Sequence, residues 1–498
     1  MFRDFLRRQQ FAVAILCLLA CLCCWAISSP VGSSPDEPFH IGNIWCSGSS
    51  SSSCSIITKN LDGTEKVAIP YIVDTCFNSG ITKSAVCIKG EKPATQELVI
   101  DRGLGSSTYY KIMHTLVSQS GERSVLFIRL TNSVLFLLIF STLLYLSRSK
   151  LRRAVFFAIA LTLVPLGLFL ISSLNPSSWT ITAVSTNWAF IWLALMNSQT
   201  KKTRVTSLVL WLFTLFIGIA SRKDAAFFLL ATNLVVFFLF HKQWWRASRA
   251  KFIIPLCIFL IMVCARFAFN SMGMFFTFST IGNYYVDVSA MNRTIFNIIH
   301  AVEIPLGAWG GDFGAGGIKS FDIAPPPMVS LIGVLLFSFT LKQSLQGWSR
   351  RQIIAVVASL AIIFVPILQV LNRWGFLVGD MVTARYVLPA MPFVIGVSIA
   401  ASSHNQESLI SRKSCFVTGS LISLSHSMTL FLVLQRYVSG SSGFFKPINT
   451  QGGWWWEGVP SPNLIWLIGT VTFTTAITIG FSQLTQKSTD QTSPIFAM

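Results

Sequence analysis

Charge is what this chain has least of. Only 11% of its 498 residues are Asp, Glu, Lys or Arg, while 52% are hydrophobic; a soluble domain carries about 25% charged residues. So little charge excludes a soluble globular core over most of the length. Together with a mean hydropathy of +0.62, it makes the chain an all-α polytopic membrane protein. Recognisable catalytic motifs are missing too. There is no Walker motif, no dinucleotide fingerprint, no His-Glu-x-x-His and no Ser-His-Asp spacing. Those absences exclude P-loop nucleotide chemistry, nicotinamide binding, zincin proteolysis and serine hydrolysis of the familiar kinds. The run Gly310-Gly311-Asp312-Phe313-Gly314 follows no strand and lacks the Gly-Lys-Ser/Thr that a phosphate-binding loop needs.

Acidic residues are scarce as well. Nineteen stand against 38 Lys and Arg, for a net charge of +19. The excess does not point to nucleic acid, because the basic residues fall in short clusters between apolar runs, which is how they fix membrane topology. The bilayer is the expected partner. Reading the clusters as cytoplasmic gives about 12 transmembrane helices with both termini inside. Only Asp4, Glu407 and Asp490 of the nineteen acids then lie on the inner side. The implied location is a plasma membrane.

The chain divides as follows. Residues 1–28 are a cytoplasmic start and first helix; an uncleaved helix is preferred over a secretory or lipoprotein signal, although Leu18-Leu19-Ala20-Cys21 loosely suggests the latter. Residues 29–123 form a long first outer loop, 124–270 hold helices two to seven, and 271–327 form a second long outer loop. Residues 328–482 hold helices eight to twelve and 483–498 a cytoplasmic tail. Spans fall at 154–174, 180–197, 252–270 and 386–402, among others. Glycine and proline in the second loop predict no regular element there.

The first outer loop reads as a small β-containing extracytoplasmic cap. Val67 to Val73 is strand-like and Asn60-Leu61-Asp62-Gly63 is a turn signal. Cys46, Cys54, Cys76 and Cys87 predict two disulfides if that side is oxidising. Nearest-neighbour pairing gives Cys46–Cys54 and Cys76–Cys87, one of three possible connectivities. The cysteines at 17, 21, 23 and 24 read as small apolar helix residues. Ser106 to Val117 predicts an amphipathic interfacial helix.

Chemistry-bearing residues collect at the outer ends of the spans. Ser33-Ser34-Pro35-Asp36-Glu37-Pro38-Phe39-His40 places two carboxylates and an imidazole where the chain leaves the first span. Pro38 predicts a helix start with Glu37 as N-cap. Glu37 and His40 then lie one turn apart; His40 is a candidate substrate-binding residue, and the two also form a candidate pair for a divalent metal ion. Arg222, Lys223 and Asp224 form a turn that either pairs locally or binds an anion. Arg385 and Tyr386 stand at a helix start, where a cation opposes the helix dipole and an anionic ligand such as a phosphate would explain it. Arg129 and Asn175 join the same outer set. Trp454-Trp455-Trp456 reads as an interfacial anchor, with sugar stacking as the alternative. Carboxylates beside cations that could hold a lipid phosphate suit glycosyl transfer from a polyprenyl-phosphate sugar. A transporter or flippase of a lipid-linked sugar and a non-catalytic envelope scaffold are the rivals.

Several stretches resemble a bacterial family of predicted membrane proteins, domain of unknown function 2142, which is similar in plan to the GT-C superfamily of membrane glycosyltransferases. They are Ser34-Pro35-Asp36-Glu37-Pro38-Phe39-His40, Tyr109-Tyr110, Asn175-Pro176, Ser221-Arg222, the glycine-rich loop ending near Asp322, and Ala384-Arg385-Tyr386-Val387-Leu388-Pro389. The resemblance implies a GT-C-like fold, a lipid-linked sugar donor and a glycan or glycolipid acceptor. It also implies a catalytic base in the first outer loop, which falls on Asp36 or Glu37. The chain departs from the family pattern at Ser107-Thr108, at Ala384 and after Asn175-Pro176, where Ser177 replaces an expected acid.

Overall fold

A computed structural model describes residues 2–48, 54–60, 64–72, 75–79, 82–89, 94–101, 107–196, 199–247, 289–310, 325–346, 349–379, 382–402, 411–440, 448 and 454–485. The expected span at 252–270 and the glycine-rich run from Gly311, with Asp312 and Asp322, lie outside these residues.

The helices are α1 (Phe2–Ile27), α2 (Glu37–Trp45), α3 (Ser107–His114), α4 (Gly121–Leu146), α5 (Ser149–Thr162), α6 (Leu166–Ile171), α7 (Ser177–Leu195), α8 (Lys201–Ser221), α9 (Lys223–Ala247), α10 (Ala290–His300), α11 (Glu303–Gly310), α12 (Pro327–Ser344), α13 (Arg350–Trp374), α14 (Met391–Ala401), α15 (Arg412–Ser439) and α16 (Pro462–Thr485). Among the described residues, eight helices are long and apolar enough to cross a membrane: α1 from Arg8, α4, α8, α9 to Phe240, α12, α13, α15 and α16. The stretch expected to span 154–174 is instead two shorter helices, α5 and α6, broken around Pro165, since a proline cannot donate to the ladder. The stretch expected at 386–402 becomes two 3₁₀ turns and the short α14.

The fully enclosed α7 organises one side of the bundle. Every residue from Ser177 to Ala194 is buried, and the helix packs on α4, α8 and α9. Its polar residues are satisfied across helices. Asn187 donates to the Trp211 carbonyl at 2.9 Å and the Thr214 hydroxyl at 2.9 Å. Asn233 donates to Asn187 Oδ1 at 2.7 Å and accepts from Trp211 Nε1 at 2.9 Å. In lipid, where apolar contact does little to hold helices together, such side-chain bonds add to packing. On the other side α1 packs on α16, which packs on α15. Thr200, Ser349 and Ser411 cap α8, α13 and α15. Lys201, Arg350 and Arg412 follow directly, cations at helix starts that the dipole disfavours.

The cap is as expected in kind. Strands β1 (Ser55–Lys59), β2 (Thr64–Ile72) and β3 (Ala94–Asp101) form an antiparallel sheet in the order β1-β2-β3. Gly42 lets the sheet approach α2: a Cβ there would sit 2.5 Å from Ile100. Cys46 pairs with Cys54 and Cys76 with Cys87, and Cys17, Cys21, Cys23 and Cys24 are free in α1. One expectation fails. The second long loop does contain regular elements, α10 and α11. Glycine and proline are sparse before residue 305, and Ser289 caps α10 through Asn292 N, so local helix signals prevail there.

Candidate functional site

The stretch between α1 and α2 is shaped from inside by Arg129 of α4. All five of its N–H donors are used. Nη1 reaches the carbonyls of Ala26 (2.8 Å) and Ser29 (2.9 Å), and Nη2 reaches that of Pro30 (2.9 Å). Nε and Nη2 grip Glu37 at 3.0 and 2.6 Å. Glu37 Oε2 also accepts from Gly32 N at 2.9 Å and Ser34 N at 3.3 Å. Both partners are buried, at 1% and 0% side-chain exposure. A bidentate guanidinium–carboxylate fork with every remaining donor satisfied is the arrangement that makes a buried ion pair tolerable.

That fork separates the two adjacent carboxylates. The helix begins one residue earlier than the N-cap expectation: Asp36, not Glu37, holds the cap position. Asp36 adopts φ +57° and ψ +16°, the one non-glycine residue at positive φ among those described, and its side chain caps nothing. Asp and Asn tolerate this region better than other L-residues. Backbone held there at a surface is an observation from which function is inferred. The turn sends Glu37 into the bundle and leaves Asp36 with 49% of its side chain open.

Asp36 meets Arg385 there. Arg385 Nη2 donates to Asp36 Oδ2 at 2.6 Å, and its side chain is 5% exposed. Its Nε is buried with no partner. The neighbouring Thr383 hydroxyl and the Ser34 hydroxyl, two residues from Asp36, are likewise buried and unpartnered. Two cations face the Tyr386 ring, Arg222 at 4.8 Å and Arg385 at 5.2 Å from its centre. Arg222 is the more fully neutralised. Its Nε and Nη2 grip Asp224 at 3.0 and 2.9 Å, and Nη1 donates to Ser177 at 3.0 Å. The local pairing allowed by the sequence is therefore real, yet it leaves Arg222 facing Tyr386. Lys223 stands half-buried at the head of α9.

Burial alone would raise the Asp36 carboxyl, but Arg385, His40 and Arg222 together hold it below its ordinary value. Half of its surface is open while protein crowds the rest; the adjacent guanidinium decides the direction. Burial pushes His40 down to about 3, against the pull of Asp36 and with help from Arg385 and Arg222. His40 is thus a neutral hydrogen-bonding residue near neutrality, with Nδ1 2.9 Å from the Tyr110 hydroxyl. Arg385 and Arg222 are both raised despite burial, by Tyr386 and Asp36 for the first and by Asp224 and Tyr386 for the second.

A polar wall completes the site. Tyr109 packs edge-on against Trp179 at 5.0 Å. Asn132 donates to the Tyr109 hydroxyl (3.2 Å) and accepts from Trp179 Nε1 (3.1 Å). Asn175 donates to the Pro35 carbonyl at 2.7 Å, tying the start of α7 to the acidic stretch. Tyr437, at the end of α15, donates to the Ser33 carbonyl at 3.3 Å. Trp456 donates to the Ile27 carbonyl at 2.9 Å, which ties it to the end of α1. Helix α3 also faces inward: Tyr109, Tyr110 and Met113 are buried, which an interfacial helix alone would not require.

The divalent metal ion expected on Glu37 and His40 does not fit. Glu37 has both oxygens committed to Arg129, and His40 Nδ1 faces Tyr110. Among the described residues no group of three or more His, Cys, Asp or Glu could hold one. The roles of Arg129, Asn132 and Tyr437 were not assignable from sequence. An arginine inside an apolar run was the signal for the first; the other two gave none.

The chain matches the family described as predicted membrane protein, DUF2142, over residues 19–394. No curated protein and no solved structure matches it.

Proposed function

For a chain that belongs to the DUF2142 family of predicted membrane proteins, we propose a membrane glycosyltransferase that takes sugar from a polyprenyl-phosphate donor on the extracytoplasmic face and builds a cell-envelope glycan. The observation that carries it is Asp36, a half-open carboxylate at positive φ held against the buried Arg385, with Arg222 nearby, where several membrane helices end. A GT-C-like arrangement with about twelve crossings, both termini cytoplasmic and a bacterial plasma membrane, belongs to the same proposal. The two cap disulfides support an oxidising side for the site.

In the reaction, Asp36 takes the proton from an acceptor hydroxyl. The hydroxyl oxygen bonds to the anomeric carbon as the bond from that carbon to the phosphate oxygen breaks. The electron pair leaves with the polyprenyl phosphate. Arg385, Arg222 and Lys223 offset the charge that grows on the departing phosphate. Tyr386 keeps the two guanidinium groups in place by cation–π contact. Glu37 and Arg129 are positioning residues that fix the backbone of 26–37, and His40, held by Tyr110, is a neutral polar neighbour of Asp36.

The test uses the full chain in proteoliposomes supplied with a polyprenyl-phosphate pentose or hexose and envelope extract as acceptor. Mass spectrometry follows product while a second assay follows the donor's sidedness. Sugar transfer supports the enzyme. Movement of donor across the bilayer with no transfer would replace it with a flippase.

A further inference from the structure

The base and the phosphate-binding cation are bonded to each other. Arg385 Nη2 sits 2.6 Å from Asp36 Oδ2, so a phosphate that uses this guanidinium must compete with Asp36 for it, while a paired Asp36 is a poor base. We propose that the Arg385–Asp36 ion pair is a latch which a phosphoryl anion opens: the phosphate takes over Arg385, Asp36 is released, and the phosphate-bearing substrate therefore binds before the hydroxyl acceptor.

Three features favour exchange over a fixed structural pair. The first is asymmetry. Arg385 is 5% exposed while Asp36 is 49% exposed, so the carboxylate can turn to water at little cost whereas the guanidinium stays put. The second is unused capacity. Arg385 Nε is buried and unpartnered, as is the hydroxyl of Thr383 two residues earlier; a tetrahedral anion with several acceptor oxygens can use donors that one carboxylate oxygen leaves idle. The third is contrast within the same fold. Arg129 and Arg222 each form two-point forks with their carboxylates and spend their other donors on carbonyls or a hydroxyl. Only Arg385, of these three, holds its carboxylate by a single nitrogen. His40 and Arg222 are the other titratable groups facing Asp36. With Arg385 drawn off by an anion, Asp36 keeps a neutral His40 and a distant Arg222, and its basicity rises.

The consequence of release depends on the glycosyltransferase reading, but the exchange itself is measurable without turnover. The probe is geranyl methyl phosphate, a diester that keeps its single charge across the acid range. Binding to the detergent-solubilised full chain is measured by calorimetry for wild type, Asp36→Asn and Arg385→Gln. Asn tolerates positive φ as Asp does, so the first substitution preserves the backbone. Because a latched site is only fractionally competent, Asp36→Asn should bind the diester about tenfold more tightly, and Arg385→Gln should lose the binding. A second readout is the acid dependence: affinity should rise with acid more steeply in wild type than in Asp36→Asn, which keeps His40 but has no carboxylate to protonate. Equal or weaker binding by Asp36→Asn, or an acid dependence identical in wild type and Asp36→Asn, would overturn the latch while leaving the transfer assay unaffected. Inorganic phosphate is run in parallel; the same gain with it would keep the latch and assign it to free phosphate in place of a lipid-linked diester.

Discussion

Arg129→Met isolates the buried fork on which the acidic stretch depends. The substitution keeps an unbranched apolar stem and removes five donors. It strands Glu37, 0% exposed, whose remaining bonds are to Gly32 N and Ser34 N. Breaking a buried pair by removing one partner costs about 3–5 kcal/mol. The carbonyls of Ala26, Ser29 and Pro30 also lose a charged donor, at on the order of 1 kcal/mol each. These losses share one neighbourhood and do not add in full, so the expected destabilisation is about 4 kcal/mol. The double variant Glu37→Met with Arg129→Met removes the stranded charge and should recover about half of it. The exposed cap pair Lys66–Glu97, 44% and 54% open, serves as the internal control. Breaking it should cost less than about 1 kcal/mol. Unfolding in mixed micelles with rising SDS reads all of these. A cost for Arg129→Met no larger than for the exposed pair would refute the claim that the fork holds the acidic stretch.

Other outcomes follow from the same geometry. His40 is held down to about 3 from 6.5, so between those values the unfolded chain binds a proton that the folded chain refuses. Stability therefore falls as pH drops below about 6.5, and His40→Gln should flatten that slope in thermal scans taken at several pH values. A slope unchanged by the substitution would show that His40 is not held neutral. Cys76–Cys87 closes a short loop, with a sequence separation of 11. Replacing both with serine should cost about 3 kcal/mol by the loop-entropy relation, read as loss of protection from proteolysis in the cap. Gly440 has φ +63°, and a Cβ there would meet the Thr82 carbonyl at 2.2 Å. Gly440→Ala should undock residues 82–89, where Ser84 donates to the Val438 carbonyl, and make that segment exchange amide hydrogen faster. Unchanged exchange would remove the docking claim.

Much of the site was readable because its residues are costly to place at a membrane boundary. Asp36, Arg222, Arg385 and Tyr386 are such residues, and the structure brings them together although Asp36 and Arg385 are 349 positions apart. The pairing itself was not readable. Asp36 and Glu37 are neighbours in sequence with equal claims to chemistry; one positive φ and an arginine 92 residues away give them different roles. The observed cysteine pairing is the nearest-neighbour one of the three that four cysteines allow, and part of the β cap was legible in the strand-like run from Val67. Helix α10 was hidden by glycine and proline further along its loop. The broken α5–α6 segment was hidden by apolar composition, which reports burial without reporting continuity.

Asp36 as the base is the central claim. The measurement that bears on it most directly compares sugar transfer by wild type and Asp36→Asn at saturating donor, with donor binding measured on the same preparations. The account predicts a variant that binds donor at least as well as wild type and forms no detectable product. Transfer that persists in Asp36→Asn at a rate near wild type would contradict it.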